Sequence, residues 1–257
     1  MIVSILQFKP KFGDILANFE TVTKLIESFE INSTDIILLP ELWSTGFYPN
    51  PLENFADHNG CKTCEFLSVL ANKYHTNMIG GTVIVEVNGN FYNRCFAFDR
   101  SGNVTAVYDK IHLFSMSGEN KVFNAGHEIP IFDVDDTKVS IATCYDIRFP
   151  ELTRAVALGG ISILFLPAAW PLKRLNHWQI LTRARAIENQ IFVVAANSFG
   201  YSAIIDPWGE ILAEAELGDK IITVNINLDI CTKIKSTMNV IADRQDFKIK
   251  NKNIDIL

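Results

Sequence analysis

Between Met78 and Lys110 the chain reads MIGGTVIVEV, NGN, FYNRCFAFD, RSGN and VTAVYDK, a succession of β-rich runs separated by tight-turn residues. That is the pattern of an antiparallel meander. It stands inside a chain whose other segments alternate strand with helix, so a purely parallel, doubly wound sheet accounts for it poorly. A mixed sheet, or two sheets packed face to face with helices outside, accommodates both textures.

The flanking segments supply the alternation. Ile2 to Phe8 is a short apolar run, and Leu16, Phe19, Val22, Ile26 and Phe29 then recur at helical spacing. Ile36 to Leu39, ended by Pro40, reads as a strand buried on both faces. IPIFDV and TKVSIATC flank Asp135-Asp136 as a hairpin, and Pro150 and Gly159 bracket a helix over ELTRAVAL. ISILFLP is a further buried strand. From 173 to 190, Leu175, Trp178, Leu181, Ala184 and Ile187 lie on helical spacing with Arg183, Arg185 and Glu188 between them, ahead of the strand IFVVAAN. Tyr201 to Asp206 and Ile211 to Ala215 form a hairpin around Pro-Trp-Gly, and Ile221 to Ile226 adds a strand. No repeat, linker or low-complexity tract divides the 257 residues, so one domain over 1–257 is expected.

The composition narrows the partners. A formal charge of -6 and a pI near 5.4 give no footprint for nucleic acid, and no basic run suggests an anionic membrane surface. No apolar run reaches the ~18 residues of a spanning helix, and the N-terminus reads as a strand, not a signal peptide. A small-molecule partner and a cytoplasmic location are expected. The five cysteines are odd in number and scattered, which does not suit a disulfide framework. Cys61 and Cys64 form one C-x-x-C pair without the remaining ligands of a zinc site, so no metal is expected and a helix start is the plainer reading.

Three strands deliver a reactive side chain at their ends: IILLP precedes Glu41, VTAVYD precedes Lys110, and VSIAT precedes Cys144. A thiol with an ordinary pKa of about 8.5 is mostly protonated at neutral pH. A carboxylate to take its proton and a cation to stabilise an anionic intermediate complete a nucleophilic site. Taken singly, each of the three is more often a core or loop residue; together they have distinct tasks.

The segments LLPELWSTGF, YDKIHLF, CYDIRFPELTR and HWQILTRARAIENQ resemble the signature stretches of the carbon–nitrogen hydrolase, or nitrilase, superfamily, in the family's order and over nearly the whole chain. The resemblance implies a four-layer α-β-β-α sandwich with two mixed sheets, a Glu41-Lys110-Cys144 triad, and cofactor-free hydrolysis of amides, nitriles or carbamoyl compounds. It also implies a second glutamate, matched by Glu119 in SGENKVFNAG. There Ala125-Gly126 replaces the usual Pro-Gly, and a solvated loop carboxylate is the competing reading. The mechanism implied is double displacement through a thioester, with the Tyr145 backbone N–H and Lys110 holding the oxyanion. The helix over 150–158 resembles the surface through which family members pair as homodimers.

AAWPLKRLNHWQILTRARAIENQ, with KIHLFSMSGEN and CYDIRFPE, is similar to the ω-amidase branch, which implies 2-oxoglutaramate or 2-oxosuccinamate as the amide substrate. The carboxylate of such a substrate needs cations, and Arg148, Lys173 and Arg174 are the nearest in sequence. Against this, Arg148 is equally suited to pair with Asp146 or Glu151, and Lys173-Arg174 to open a solvated helix face. Trp43, Phe47, Tyr145 and Trp170 are candidates for pocket walls or for core packing. Another aliphatic amidase, an N-carbamoyl hydrolase and a catalytically silent protein on the same fold are the alternatives.

Overall fold

The computed structural model describes residues 1–28 and 34–245. Within them the first sheet is built from β1 (Ile2–Gln7), β2 (Ile36–Leu38), β3 (Asp57–His58), β4 (Asn77–Val87), β5 (Asn90–Phe98), β6 (Val104–Asp109) and β13 (Lys220–Asn225). Its order is β13-β1-β2-β4-β5-β6, with β3 pairing β4. β1, β2 and β4 run parallel, while β13 and the β5-β6 meander are antiparallel additions. The second sheet takes β7 (Ile131–Val134), β8 (Thr137–Ile141), β9 (Ile163–Ala168), β10 (Phe192–Asn197), β11 (Ala203–Ile205) and β12 (Ile211–Glu214), in the order β12-β11-β10-β9-β8-β7. β8, β9 and β10 are parallel and their flanks antiparallel. Both sheets are mixed, as the meander between β-α units demands.

Three apolar layers hold the sandwich. Val3, Ile5, Ile36 and Leu38 of the first sheet meet Val139, Ile141, Ile163, Phe165, Phe192 and Val194 of the second. The other face of the first sheet, through Leu6, Ile37 and Val85, is covered by α1 (Ile15–Ser28) and α2 (Cys61–Tyr74). The other face of the second, through Leu164, Leu166 and Val193, is covered by α3 (Pro150–Leu158) and α4 (Leu175–Asn189). Strands apolar on both faces are what a sheet with a layer on each side requires. The short α5 (Asp229–Thr237), which sequence reading missed, adds Cys231 and Ile234 to the buried residues.

Two helices differ from their expected faces. Leu16 is 80% exposed, whereas Val22 and Ile26 are fully buried; Phe29 lies outside the described residues. On α4 the inward face is Trp178, Thr182, Arg185, Ala186 and Asn189, while Ile187 is exposed. Arg185 is tolerated inside because its Nε donates to the Ile147 carbonyl at 3.0 Å and its Nη1 to Glu188 Oε1 at 2.9 Å. Cys61 and Cys64 open α2, as the plainer reading had it.

The β4-β5 ladder slips between Ile79 and Thr82, and this irregularity positions the turn after β2. Thr82 N–H donates to the Pro40 carbonyl at 3.1 Å, and Leu42 N–H donates to Thr82 Oγ1 at 2.9 Å. Gly81 sits here at φ +60°, and a Cβ on it would lie 2.1 Å from the Pro40 carbonyl oxygen. Gly81→Ala is therefore expected to destabilise the fold by more than ~1 kcal/mol and to lower activity by displacing Glu41. Urea unfolding and a rate assay on the same preparation check both; an unchanged midpoint would show that the bulge tolerates a side chain.

Candidate active site

Glu41 follows β2, Lys110 follows β6, and Cys144 follows β8 by way of Ala142-Thr143, so two of the three groups come from the first sheet and one from the second. All three are buried. Lys110 Nζ donates to Glu41 Oε1 at 2.8 Å and to Glu119 Oε1 and Oε2 at 3.0 and 2.9 Å. Glu119, on the 3-10 turn Glu119–Lys121, is fully buried and also accepts from Phe114 N–H at 2.6 Å, which excludes the solvated-loop reading. Glu41 Oε2 accepts from Ala169 N–H at 2.8 Å, a bond that crosses from the first sheet to the end of β9 in the second. Cys144 lies close enough to this carboxylate for the Glu41 charge to act on its thiol.

Burial first, and then the Glu41 charge, push the Cys144 thiol well above its ordinary value, with Lys110 acting in the opposite sense. The resting group is a thiol, the protonated and less reactive form of cysteine. For Lys110, desolvation favours the neutral amine, but Glu41 and Glu119 together outweigh it and hold the ammonium above the usual lysine range.

The cysteine sits on a strained turn. Cys144 has φ +46°, a left-handed conformation that costs a non-glycine residue ~1–3 kcal/mol. Asp146, fully buried two residues on, anchors that turn. Its Oδ2 accepts from Thr143 N–H at 2.8 Å and Tyr108 OH at 2.6 Å; its Oδ1 faces His112 N–H at 2.9 Å and His112 Nδ1 at 2.8 Å. Tyr108 and His112 flank Lys110, so one carboxylate ties the lysine strand to the cysteine turn. Tyr145 is the second residue of the 3-10 segment Cys144–Arg148, in whose first turn N–H groups lack an intrahelical acceptor.

Beside Cys144 opens a cavity of about 220 Å³ lined by Lys110, Cys144, Tyr145 and Ala169, walled by Phe47, Phe114, Trp170, Pro171 and Phe199, and edged by Arg148, Lys173 and Arg174. The volume is below the ~300–1,000 Å³ of drug-sized sites, which suits a small substrate. Arg148 lies 4.6 Å from the Trp170 ring centre and 5.9 Å from that of Tyr145, and it meets His177 Nδ1 at 3.3 Å. It pairs with neither Asp146 nor Glu151. Arg174 lies 5.1 Å over Phe114. Burial, and then the charge of Arg174, pull the Arg148 guanidinium below its ordinary value. Among the described residues none of these three cations has a carboxylate within ion-pairing distance, and no cluster of three or more His, Cys, Asp or Glu is placed to hold a metal.

Sequence reasoning brought Glu41, Lys110, Cys144, Glu119, Tyr145, Arg148, Trp170, Lys173 and Arg174 into view, and the fold gathers them. Trp43 is elsewhere: it is fully buried in the first sheet's outer layer, against Phe19 and Phe66, with Nε1 donating to the Gly80 carbonyl at 2.7 Å. Asn93, Phe114 and Phe199 were not singled out, and Asp146 only as a partner for Arg148. The available signal for Asn93 was a polar residue in the strand FYNRC, and for Asp146 its place two residues after the cysteine.

Residues 2–236 match the carbon–nitrogen hydrolase family. The chain is 37% identical over 250 residues to the 2-oxoglutaramate amidase of Bacillus subtilis, covering 94% of this chain and 96% of that one. It is 40% identical over 207 residues to a protein of Staphylococcus lugdunensis described as a hydrolase in the agr operon, covering 76% and 88%. Among solved structures, a carbon–nitrogen hydrolase superfamily protein of Xanthomonas campestris with an arsenic adduct in its active site superposes with a TM-score of 0.89. That pair is 25% identical, over 97% of this chain and 99% of the other.

Asp146→Ala strips Tyr108, Thr143 and His112 of their shared acceptor. Orphaned buried donors cost ~1–3 kcal/mol each, so the variant should lose roughly 3 kcal/mol in urea unfolding. Alkylation of Cys144 by iodoacetamide should slow in parallel as the turn relaxes; wild-type values in both assays would show that the turn holds without this carboxylate.

Proposed function

The chain belongs to the carbon–nitrogen hydrolase family, a hydrolase acting on amides, and from that premise we propose that it is an ω-amidase that releases ammonia from the terminal amide of 2-oxoglutaramate or 2-oxosuccinamate. The observation that carries the substrate is the charge at the mouth of the cavity, where Arg148, Lys173 and Arg174 gather, none with a carboxylate within ion-pairing distance among the described residues. Such a lining attracts a free carboxylate and disfavours the α-ammonium of glutamine or asparagine. A substrate held there by its carboxylate reaches Cys144 with its far end, past the apolar wall of Trp170.

The reaction follows from the groups at the floor. Glu41 takes the thiol proton while Cys144 Sγ bonds to the amide carbon, and the Tyr145 N–H receives the oxyanion. The Lys110 ammonium donates to carboxylates alone in the resting site, so its contribution to the oxyanion starts as a field and not as a hydrogen bond. Glu41 returns its proton to the departing nitrogen, the C–N bond breaks, and ammonia leaves a thioester. A water deprotonated by Glu41 and oriented with Glu119 then attacks; the C–S bond breaks, the thiol is restored and the acid departs.

Three coarser properties complete the proposal. We read 1–257 as one catalytic domain, supported by the family match over 2–236. We infer a cytoplasmic location, supported by five free cysteines; no helix among the described residues is long and apolar enough to cross a membrane. We infer a homodimer through the α3-α4 face, supported by the exposed Leu158, Ile180 and Ile187.

An ammonia-release screen tests the substrate: 2-oxoglutaramate and 2-oxosuccinamate should exceed glutamine, asparagine and simple aliphatic amides, and release of carbon dioxide from carbamoyl amino acids would move the enzyme to another branch. Arg148→Ala and Arg174→Ala should each raise KM about tenfold or more, as loss of a charge-assisted hydrogen bond of ~1.5–3 kcal/mol implies. Cys144→Ala should fold and be inactive. Lys110→Met should lose ~10²–10³ in kcat. In Glu41→Gln, intact mass after mixing with substrate should show any acyl adduct on Cys144; an adduct elsewhere would refute the mechanism.

A further inference from the structure

Two carboxylates meet at the floor of the site with one ammonium between them, and Asn93 is the fourth member of that group. It lies on β5, is fully buried, and touches Lys110 through its backbone as well: Lys110 N–H donates to the Asn93 carbonyl at 3.0 Å. Its side-chain Nδ2 donates to Glu41 Oε1 at 2.9 Å and to Glu119 Oε1 at 3.0 Å. Those two oxygens are the same ones that accept from Lys110 Nζ. An amide nitrogen has two protons, and both are used here. Its orientation is fixed by its partners, because the flipped amide would set Oδ1 against both carboxylates. The cost of this arrangement is visible: Asn93 Oδ1 is buried without a partner.

Neighbouring buried carboxylates ordinarily share a proton, since like charges in a poorly solvated site do not both ionise. A shared proton between Glu41 and Glu119 would disable Glu41 as a base. With Asn93 and Lys110 both donating to the facing oxygens, each oxygen is an acceptor and a bridging proton has no place. We infer that Asn93 is a positioning residue that keeps Glu41 and Glu119 ionised together, and so keeps Glu41 competent to deprotonate Cys144. The inference rests on reading Glu41 as the base. The titratable groups that face Glu41 are Lys110 from β6, Glu119 from the 119–121 turn and Cys144 after β8; β5 contributes Asn93, and the end of β9 contributes the Ala169 N–H.

The test is a pH profile. Removing donors from a carboxylate raises its pKa, so a reaction that needs the anion begins at higher pH, and the acid limb of kcat/KM moves in the alkaline direction. Asn93→Leu removes the donors at similar size; Asn93→Asp keeps the shape and substitutes a third carboxylate. Both should move the acid limb upward by about one unit or more, a tenfold loss at a pH on that limb for each unit, recovered at alkaline pH, with the aspartate variant displaced further. The pH dependence of Cys144 alkylation by iodoacetamide should move in the same way, which reads the base without turnover. Asn93→Asp decides the matter if the leucine variant does not fold. A folded variant whose rate falls by one factor at every pH would reduce Asn93 to a packing role and overturn the inference. Glu41→Gln separates the two levels: it should displace the alkylation limb, which then follows the Cys144 thiol alone. If that limb stays at its wild-type position in Glu41→Gln, the base assignment fails and the inference with it. If Glu41→Gln displaces the limb while the Asn93 variants leave it unmoved, only the role of Asn93 falls.

Discussion

A lysine ammonium with almost no exposure to water has to be neutralised locally, and the surroundings of Lys110 are arranged around that requirement. Glu41 and Glu119 supply the opposing charges from two separate loops. Taking the ammonium away would leave two carboxylates uncompensated in the core, at a cost of ~3–5 kcal/mol. The β4 bulge that frames Glu41 and the 3-10 turn that carries Glu119 are thus held in place by the charge they approach. Chemistry and folding draw on the same contacts.

Cys144 is on the other sheet, so it meets Glu41 and Lys110 only if the two halves of the sandwich keep register. Apolar packing between the sheets sets their spacing but is indifferent to small slides. Directional bonds at the strand ends remove that freedom: Ala169 N–H to Glu41, and Tyr108 OH to Asp146. Asp146 also carries the unfavourable backbone of Cys144, which places the thiol against the Glu41 carboxylate while the residue lines the cavity. Strain at the turn is borne by hydrogen bonds that simultaneously fix its distance from Lys110.

Much of this architecture was legible in the chain. Apolar runs with reactive residues at their ends located Glu41, Lys110 and Cys144, because burial on both faces leaves chemistry only at strand termini. Asn93 escaped notice because the strand FYNRC reads the same whether its polar residue faces solvent or a carboxylate; only the register against β6 and the bulge in β4 decide that. α4 shows the same limit. Its amphipathicity is weak, and Arg185 turns inward because the Ile147 carbonyl, 38 residues earlier in the chain, is there to receive its guanidinium beside Glu188 of the same helix. Trp43 went to the core because a backbone carbonyl of the β4 bulge was available to its indole N–H. In each case the deciding partner is distant in sequence.

Behind Lys110, the lysine that lines the cavity, the charge balance is uneven, two buried carboxylates against one ammonium. An amide arriving there is neutral and meets no penalty from that excess. The acid formed from it is an anion at neutral pH, generated beside Glu41 and Glu119 in a poorly screened space. Repulsion acts on it from the moment it ionises, while the cations at the mouth lie in the direction of exit. The charge count behind Lys110 therefore favours the neutral amide group over the anion that hydrolysis makes of it.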